Sequence, residues 1–173
     1  MDRGTGMEPT QLEKGIRSTL MMLKHEIKDR QIEVVYDFPA SAPDIHGYPG
    51  ELNQIWTNLF INAMDAMSPG GKLSITIECT KAFVQVAVAD TGHGIPDDIA
   101  SKIFEPFFTT KEIGQGSGMG LDIVKRIVDR HQANIRVNSS DKGTTFTLSF
   151  PVFYQKLSII TIWQVQKNLF FSL

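Results

Sequence analysis

Apolar residues recur at three- and four-residue spacing through Leu12, Ile16, Leu20, Leu23 and Ile27, which predicts an amphipathic helix of about five turns. Ile32 to Phe38 is rich in β-branched and aromatic residues and reads as a strand ended by Pro39; Ser41 to Gly47 reads as a loop. A second helix is predicted over Pro49 to Met67. Its proline suits the first turn, Leu52, Ile55, Trp56, Leu59, Ile61, Ala63 and Ala66 give a broad apolar face, and Ser68-Pro69-Gly70-Gly71 stops it. Lys72 to Thr80 and Ala82 to Ala89 alternate apolar and polar positions around Lys81, as in a hairpin. Asp90 to Pro96 is a glycine-containing turn, Asp97 to Ile103 a short helix, and Phe104 to Met119 a long loop, a length usually tied to function. Leu121 to His131 forms a third main helix with Ile123, Val124, Ile127 and Val128 facing inward. Asn134 to Asn138 and Thr144 to Phe150 close the pattern as a strand pair around Asp141-Lys142-Gly143. This order predicts an α/β (α+β) two-layer sandwich, a mixed sheet of about five strands packed on three main helices. Two hairpins exclude an all-parallel, doubly wound sheet.

Composition narrows the function classes. The chain has 173 residues, 42% hydrophobic and 21% charged, enough for one domain with a full core and too apolar for a disordered chain. A net charge of -2 argues against nucleic acid as partner, since phosphate backbones demand a basic surplus. The single cysteine, Cys79, supports neither an internal disulfide nor a zinc site. It reads as a small buried strand residue in a protein of the reducing cytosol. The opening Met1 to Gly6 lacks the apolar core of a secretory signal, and residues 1–8 read as a cloning remnant or disordered N-terminus. The tail, residues 153–173, is apolar but interrupted by Gln155, Lys156, Gln164, Gln166 and Lys167, so it is not read as a membrane span.

Five short segments carry chemistry. Asn58 and Asn62 lie four apart on a predicted helix and so share one face, where amide oxygens suit a hard cation such as Mg²⁺ beside phosphates. Asp90 ends an apolar strand, where packing gives a carboxylate no purpose. It accepts hydrogen bonds only, and so selects adenine, which offers an exocyclic amino donor, over guanine, which shows a carbonyl there. Gly92 and Gly94 let backbone approach a flat ring. Gly114-Gln115-Gly116-Ser117-Gly118-Met119-Gly120-Leu121 leads directly into a helix, so successive N–H groups and the helix N-terminus form a phosphate cradle with a lid. Its spacing is neither a P-loop nor a dinucleotide fingerprint. Phe104-Glu105-Pro106-Phe107-Phe108-Thr109-Thr110-Lys111 places three phenylalanines in a loop, as a lid hinge or a partner-docking element, with Lys111 in reach of a phosphate. A threonine hydroxyl in Gly143-Thr144-Thr145-Phe146, on the closing strand, could hold adenine directly or through water.

In this order the segments resemble the ATP-binding catalytic domain of sensor histidine kinases, within the GHKL superfamily shared with gyrase, the heat-shock chaperones and mismatch-repair ATPases. Asn58-Leu59-Phe60-Ile61-Asn62-Ala63 is similar to the family's N box and Asp90-Thr91-Gly92-His93-Gly94 to its first glycine box. Phe104 to Lys111 resembles its F box, Gly116 to Leu121 its second glycine box and Gly143-Thr144-Thr145-Phe146 its last. The likeness runs over roughly residues 10–151. It implies the Bergerat α/β sandwich, with ATP and Mg²⁺ as cofactors. Asn62 would bind the metal, with Asn58 as its catalytic companion touching the nucleotide or the metal's shell. Asp90 would bind the adenine amino group, with Gly92 and Gly94 shaping the base pocket. Gly116, Ser117, Gly118, Met119, Gly120 and Leu121 would form the lid and phosphate contacts, with Lys111 beside them, and Thr145 would support the base. Hydrolysing cousins carry a glutamate general base four residues before the metal asparagine; here that position is Asn58, which cannot activate water.

The implied partners are the dimerisation and phosphoacceptor domain of the same full-length protein and a response regulator. The acceptor histidine would lie outside this chain, because His25, in Lys24-His25-Glu26, sits on a helix expected to pack against the sheet. Asp65 stands where many family members have a basic residue near the phosphates, and residues 155–173 match nothing in the family. Residues 9–152 are thus expected to be the ATP-binding domain. The alternatives are a GHKL-type ATPase, a serine kinase acting on a regulator protein, and an inactive nucleotide-binding interaction module.

Overall fold

A computed structural model of the chain describes residues 6–108 and 120–153. The elements run β1 (Glu8–Thr10), α1 (Leu12–Met22), α2 (Lys24–Asp29), β2 (Glu33–Asp37), β3 (Ile45–Gly47), α3 (Pro49–Ala66), β4 (Lys72–Cys79), β5 (Phe83–Asp90), α4 (Asp97–Ala100), α5 (Gly120–Arg130), β6 (Asn134–Ser140) and β7 (Gly143–Pro151). The main sheet has the order β2-β4-β5-β7-β6. Strands β2 and β4 pair in parallel and the other neighbours antiparallel, so the sheet is mixed and five-stranded as expected.

Alternation decides which face of the sheet is covered. Leu73, Ile75, Val84, Val86, Val88, Phe146, Leu148 and Phe150 point one way and are buried. They meet Leu52, Ile55, Trp56, Leu59, Phe60, Ala63 and Met64 of α3, Val124, Ile127 and Val128 of α5, and Leu12 and Ile16 of α1. The opposite face carries the small, half-buried Ser74, Thr76, Gln85, Ala87, Thr145, Thr147 and Ser149. Two layers result.

Four expectations need correction. The first predicted helix is two, broken at Leu23, whose φ and ψ of -85° and 6° leave the helical basin. The Thr19 hydroxyl donates to Gly15 O at 2.9 Å, and such back-bonding bends helices. The predicted loop 41–47 contains β3, which pairs antiparallel with β1, so Glu8 opposes Gly47. The short helix ends at Ala100, not Ile103. Cys79 shares the phase of Leu73, Ile75 and Ile77 but is exposed, because the strand has run past the helix layer.

Candidate nucleotide site

Asp90 closes β5 on the helix face and is only 9% exposed. Its Oδ1 accepts the backbone N–H of Gly92 at 2.8 Å and that of Thr144 at 3.3 Å. Burial pushes the carboxyl above its ordinary value of 3.8, while the two N–H donors and the nearby His93 oppose that rise. One oxygen is thus fixed by backbone. Among the described residues no donor is assigned to the other oxygen.

The turn after Asp90 has no room for a side chain at Gly92 or Gly94. A Cβ on Gly92 would lie 2.6 Å from Ala66 O, and one on Gly94, where φ is +75°, only 1.8 Å from Ser140 O. Only glycine meets both the space and the sign of φ at position 94. The turn is pinned on two sides. The His93 N–H donates to Ala66 O at 3.1 Å, and the Ile95 N–H donates to Ser139 Oγ at 2.7 Å. Ser139 in turn shares a 2.9 Å hydrogen bond with Thr144 Oγ1.

Ala66 links this turn to the asparagines. Asn58, Asn62 and Ala66 are spaced by four along α3 and form one ridge, rising about 6 Å per step. Both asparagines are half-buried, and Asn58 Nδ2 is buried with no hydrogen-bond partner among the described residues. An orphaned donor of this kind costs about 1–3 kcal/mol unless an acceptor arrives. Gly120, the first residue of α5, faces them: a Cβ there would stand 3.7 Å from Asn62 Nδ2 and 3.8 Å from Asn58 Oδ1. The fold therefore brings the start of α5, the helix that follows the glycine-rich segment, onto the asparagine pair, and Leu121 packs beside it against the core. Lys111, Gly116, Ser117, Gly118 and Met119 lie outside the described residues.

The ridge suits a nucleotide with its cation. No group of three His, Cys, Asp or Glu that could hold a metal occurs among the described residues. A cation here would take an amide oxygen and ligand phosphates, as Mg²⁺ does when it keeps several waters.

Thr145 is not on this face. Alternation puts it on the open side of the sheet, whereas Thr144 is buried at 4% exposure and contacts Asp90 and Ser139. The phase of Phe146, Leu148 and Phe150 would have pointed to Thr144 in the sequence. Ser139 and the Ala66 carbonyl were also missed; only the fold joins them to Asp90. Asp65 points elsewhere, paired with Arg30 at 2.7 Å. Phe104 and Phe108 pack against the core, while Phe107 is 75% exposed at a φ of +64°. His25 is exposed on α2.

Residues 47–153 match the model of the histidine kinase-, DNA gyrase B- and HSP90-like ATPase family. The chain belongs to that family. It is 37% identical over 138 residues to the sensor histidine kinase ZraS of Escherichia coli strain K12, covering 79% of this chain and 29% of the relative. This chain therefore spans less than a third of the length of such curated relatives, 29% of ZraS and 23% of sporulation kinase A of Bacillus subtilis strain 168. The nucleotide-free catalytic domain of histidine kinase ThkA superposes with a TM-score of 0.78 at 29% identity, covering 86% of this chain and 97% of that one. ThkA in complex with response regulator protein TrrA superposes with a TM-score of 0.72 at 26% identity, covering 85% of this chain and 42% of that one. Beyond that family, the chain is thus most like the catalytic domains of sensor histidine kinases. No helix among its described residues is long and apolar enough to cross a membrane.

Proposed function

We propose that this domain binds Mg²⁺–ATP and delivers the γ-phosphate to a histidine on a dimerisation and phosphoacceptor domain outside this chain, which then passes it to a response regulator. The carrying observation is the Asp90 carboxylate, held by the Gly92 and Thr144 N–H groups at the end of an apolar strand. It is an acceptor matched to the adenine amino group. The domain is proposed to run over residues 9–152 and to act on the cytoplasmic side; Glu8, just before that range, is already paired with Gly47.

Each residue then has a physical task. Gly92 and Gly94 keep side chains out of the base pocket. Asn58 and Asn62 present amide groups to the phosphates, and the buried Nδ2 of Asn58 gains its missing acceptor. Gly120 leaves space over both asparagines and begins a helix whose positive end faces the polyphosphate. When bound, Mg²⁺ would be held by Asn62 and would neutralise phosphate charge. Asn58 cannot take a proton from water, so the pair supports transfer to another nucleophile over hydrolysis. Lys111 and the segment Gly116 to Met119 are proposed to complete the phosphate side. Similarity to ThkA, solved with TrrA, supports the response-regulator step.

Titration calorimetry with ATP, with and without Mg²⁺ and with GTP as control, tests this. Magnesium-enhanced binding of ATP and none of GTP is expected. Equal affinity for ATP and GTP, or no binding by a folded sample, would overturn the role given to Asp90.

A further inference from the structure

A second recess lies elsewhere on α3. It encloses about 450 Å³ between the first turns of α1 and α3, strand β1 and Asp44. That volume falls in the range of small-molecule sites. The cavity uses the first turns of α3 up to Trp56, whereas the nucleotide ridge begins at Asn58.

Its inner end carries an unmet polar group. Trp56 is fully buried, and its indole Nε1–H has no hydrogen-bond partner among the described residues. Gly15, which also lines the recess, packs its bare Cα close against this group. A Cβ at Gly15 would come within 3.3 Å of that nitrogen and 2.6 Å of Asn53 Oδ1. A donor and an acceptor therefore sit side by side against one bare Cα.

The helix side of the cavity is electropositive. The residues preceding α1 and α3, Gln11 and Tyr48, supply no capping side-chain hydrogen bond, so side chains leave the first-turn N–H groups of both helices uncapped. Lys14 adds an ammonium group to the lining. The acid in the first turn of α1, Glu13, pairs with Arg17, and that of α3, Glu51, pairs with Arg130. The strand side is the reverse, with Glu8 and Asp44 bringing two carboxylates.

We infer that this recess binds a small zwitterion of the amino-acid class. Its carboxylate lies toward Lys14, the helix N-termini and the Trp56 N–H, and its ammonium group toward Glu8, Asp44 and Asn53 Oδ1. The site is separate from the nucleotide site, although both are built on α3.

The test follows the Trp56 indole N–H resonance in a ¹⁵N-labelled chain, assigned with Trp163→Phe, as free L-amino acids are titrated one at a time beside acetate and ethylamine. At least one amino acid is expected to shift that resonance saturably and to outbind both half-ligands. Trp56→Phe keeps the ring and removes the donor, and should weaken binding by about tenfold in calorimetry. Asn53→Ala, which removes only a side chain, should weaken it while ATP affinity stays within about twofold. No saturable shift with any amino acid, acetate binding as tightly as the best of them, or affinity untouched in both folded variants would overturn the inference.

Discussion

The backbone N–H of Thr144 donates to Asp90 Oδ1 at 3.3 Å, across 54 residues of sequence, and makes the start of β7 part of the proposed base pocket. The hydroxyl of the same residue holds Ser139, which holds Ile95. The pocket's outer turn is therefore braced by a chain of polar contacts in which Thr145 has no share. Thr144→Val should weaken ATP binding by about five- to tenfold, the effect of losing one buried hydrogen bond, and Ser139→Ala should do the same. Thr145→Val should leave affinity unchanged in calorimetry. Loss of binding in the Thr145 variant alone would reverse the placement of the two threonines.

Asp90 separates function from stability. Its carboxyl titrates above its ordinary value because burial penalises the charge. The folded pKa is raised relative to the unfolded one, so the ionised group costs stability at neutral pH. That cost fades as pH falls through the folded pKa toward the unfolded value of about 3.8. Asp90→Asn should therefore raise the melting temperature at pH 7, with the gain shrinking toward pH 4, while ATP binding is lost. Wild-type ATP affinity should also fall as Asp90 is protonated. A variant less stable than wild type at pH 7 would show that the Gly92 and Thr144 hydrogen bonds outweigh the burial penalty.

The glycines divide by what surrounds them. A Cβ at Gly143, where φ is +133°, would meet Asp90 O at 1.9 Å, and at Gly94 it would meet Ser140 O at 1.8 Å. Both neighbours are backbone and cannot step aside. Gly94→Ala and Gly143→Ala should each cost more than about 2 kcal/mol in chemical denaturation. Nothing lies within 4 Å of a Cβ at Gly50, near the start of α3, so Gly50→Ala should be neutral or stabilise by up to about 1 kcal/mol.

Periodicity revealed the three main helices and the hairpin because each buries one continuous stripe. Leu52 to Met64 and Val84 to Val88 are buried in the phase their spacing implies. The β1–β3 ribbon was invisible: three-residue strands have no period to detect, and Pro9 and Pro43 argue locally for loop. The break at Leu23 depends on the Thr19 hydroxyl choosing Gly15 O, a competition that composition does not reveal. At the candidate site, residues announced by chemical oddity were legible, such as Asp90 on an apolar strand or paired asparagines. Ser139 and the carbonyl of Ala66 look ordinary, and only sheet register and helix docking carry them to the turn.

Phe107 gives the last prediction. It is 75% exposed, while its neighbours Phe104 and Phe108 pack against the core, and its φ of +64° is one that a bulky L-residue adopts only at a cost of about 1–2 kcal/mol. Exposed apolar area combined with a strained backbone contributes nothing to the domain's own stability, which points to use at an interface. Phe107→Gly removes the ring and relieves the conformation, so the isolated domain should keep its ATP affinity and melt no lower than wild type. In a longer protein that carries the proposed phosphoacceptor domain, the same substitution should slow phosphorylation of its histidine by about tenfold or more, the effect of losing a buried aromatic anchor at a contact. Unchanged phosphotransfer would show that the phosphoacceptor domain docks without this side chain, whereas a lower melting temperature in the isolated domain would show that Phe107 serves the fold itself.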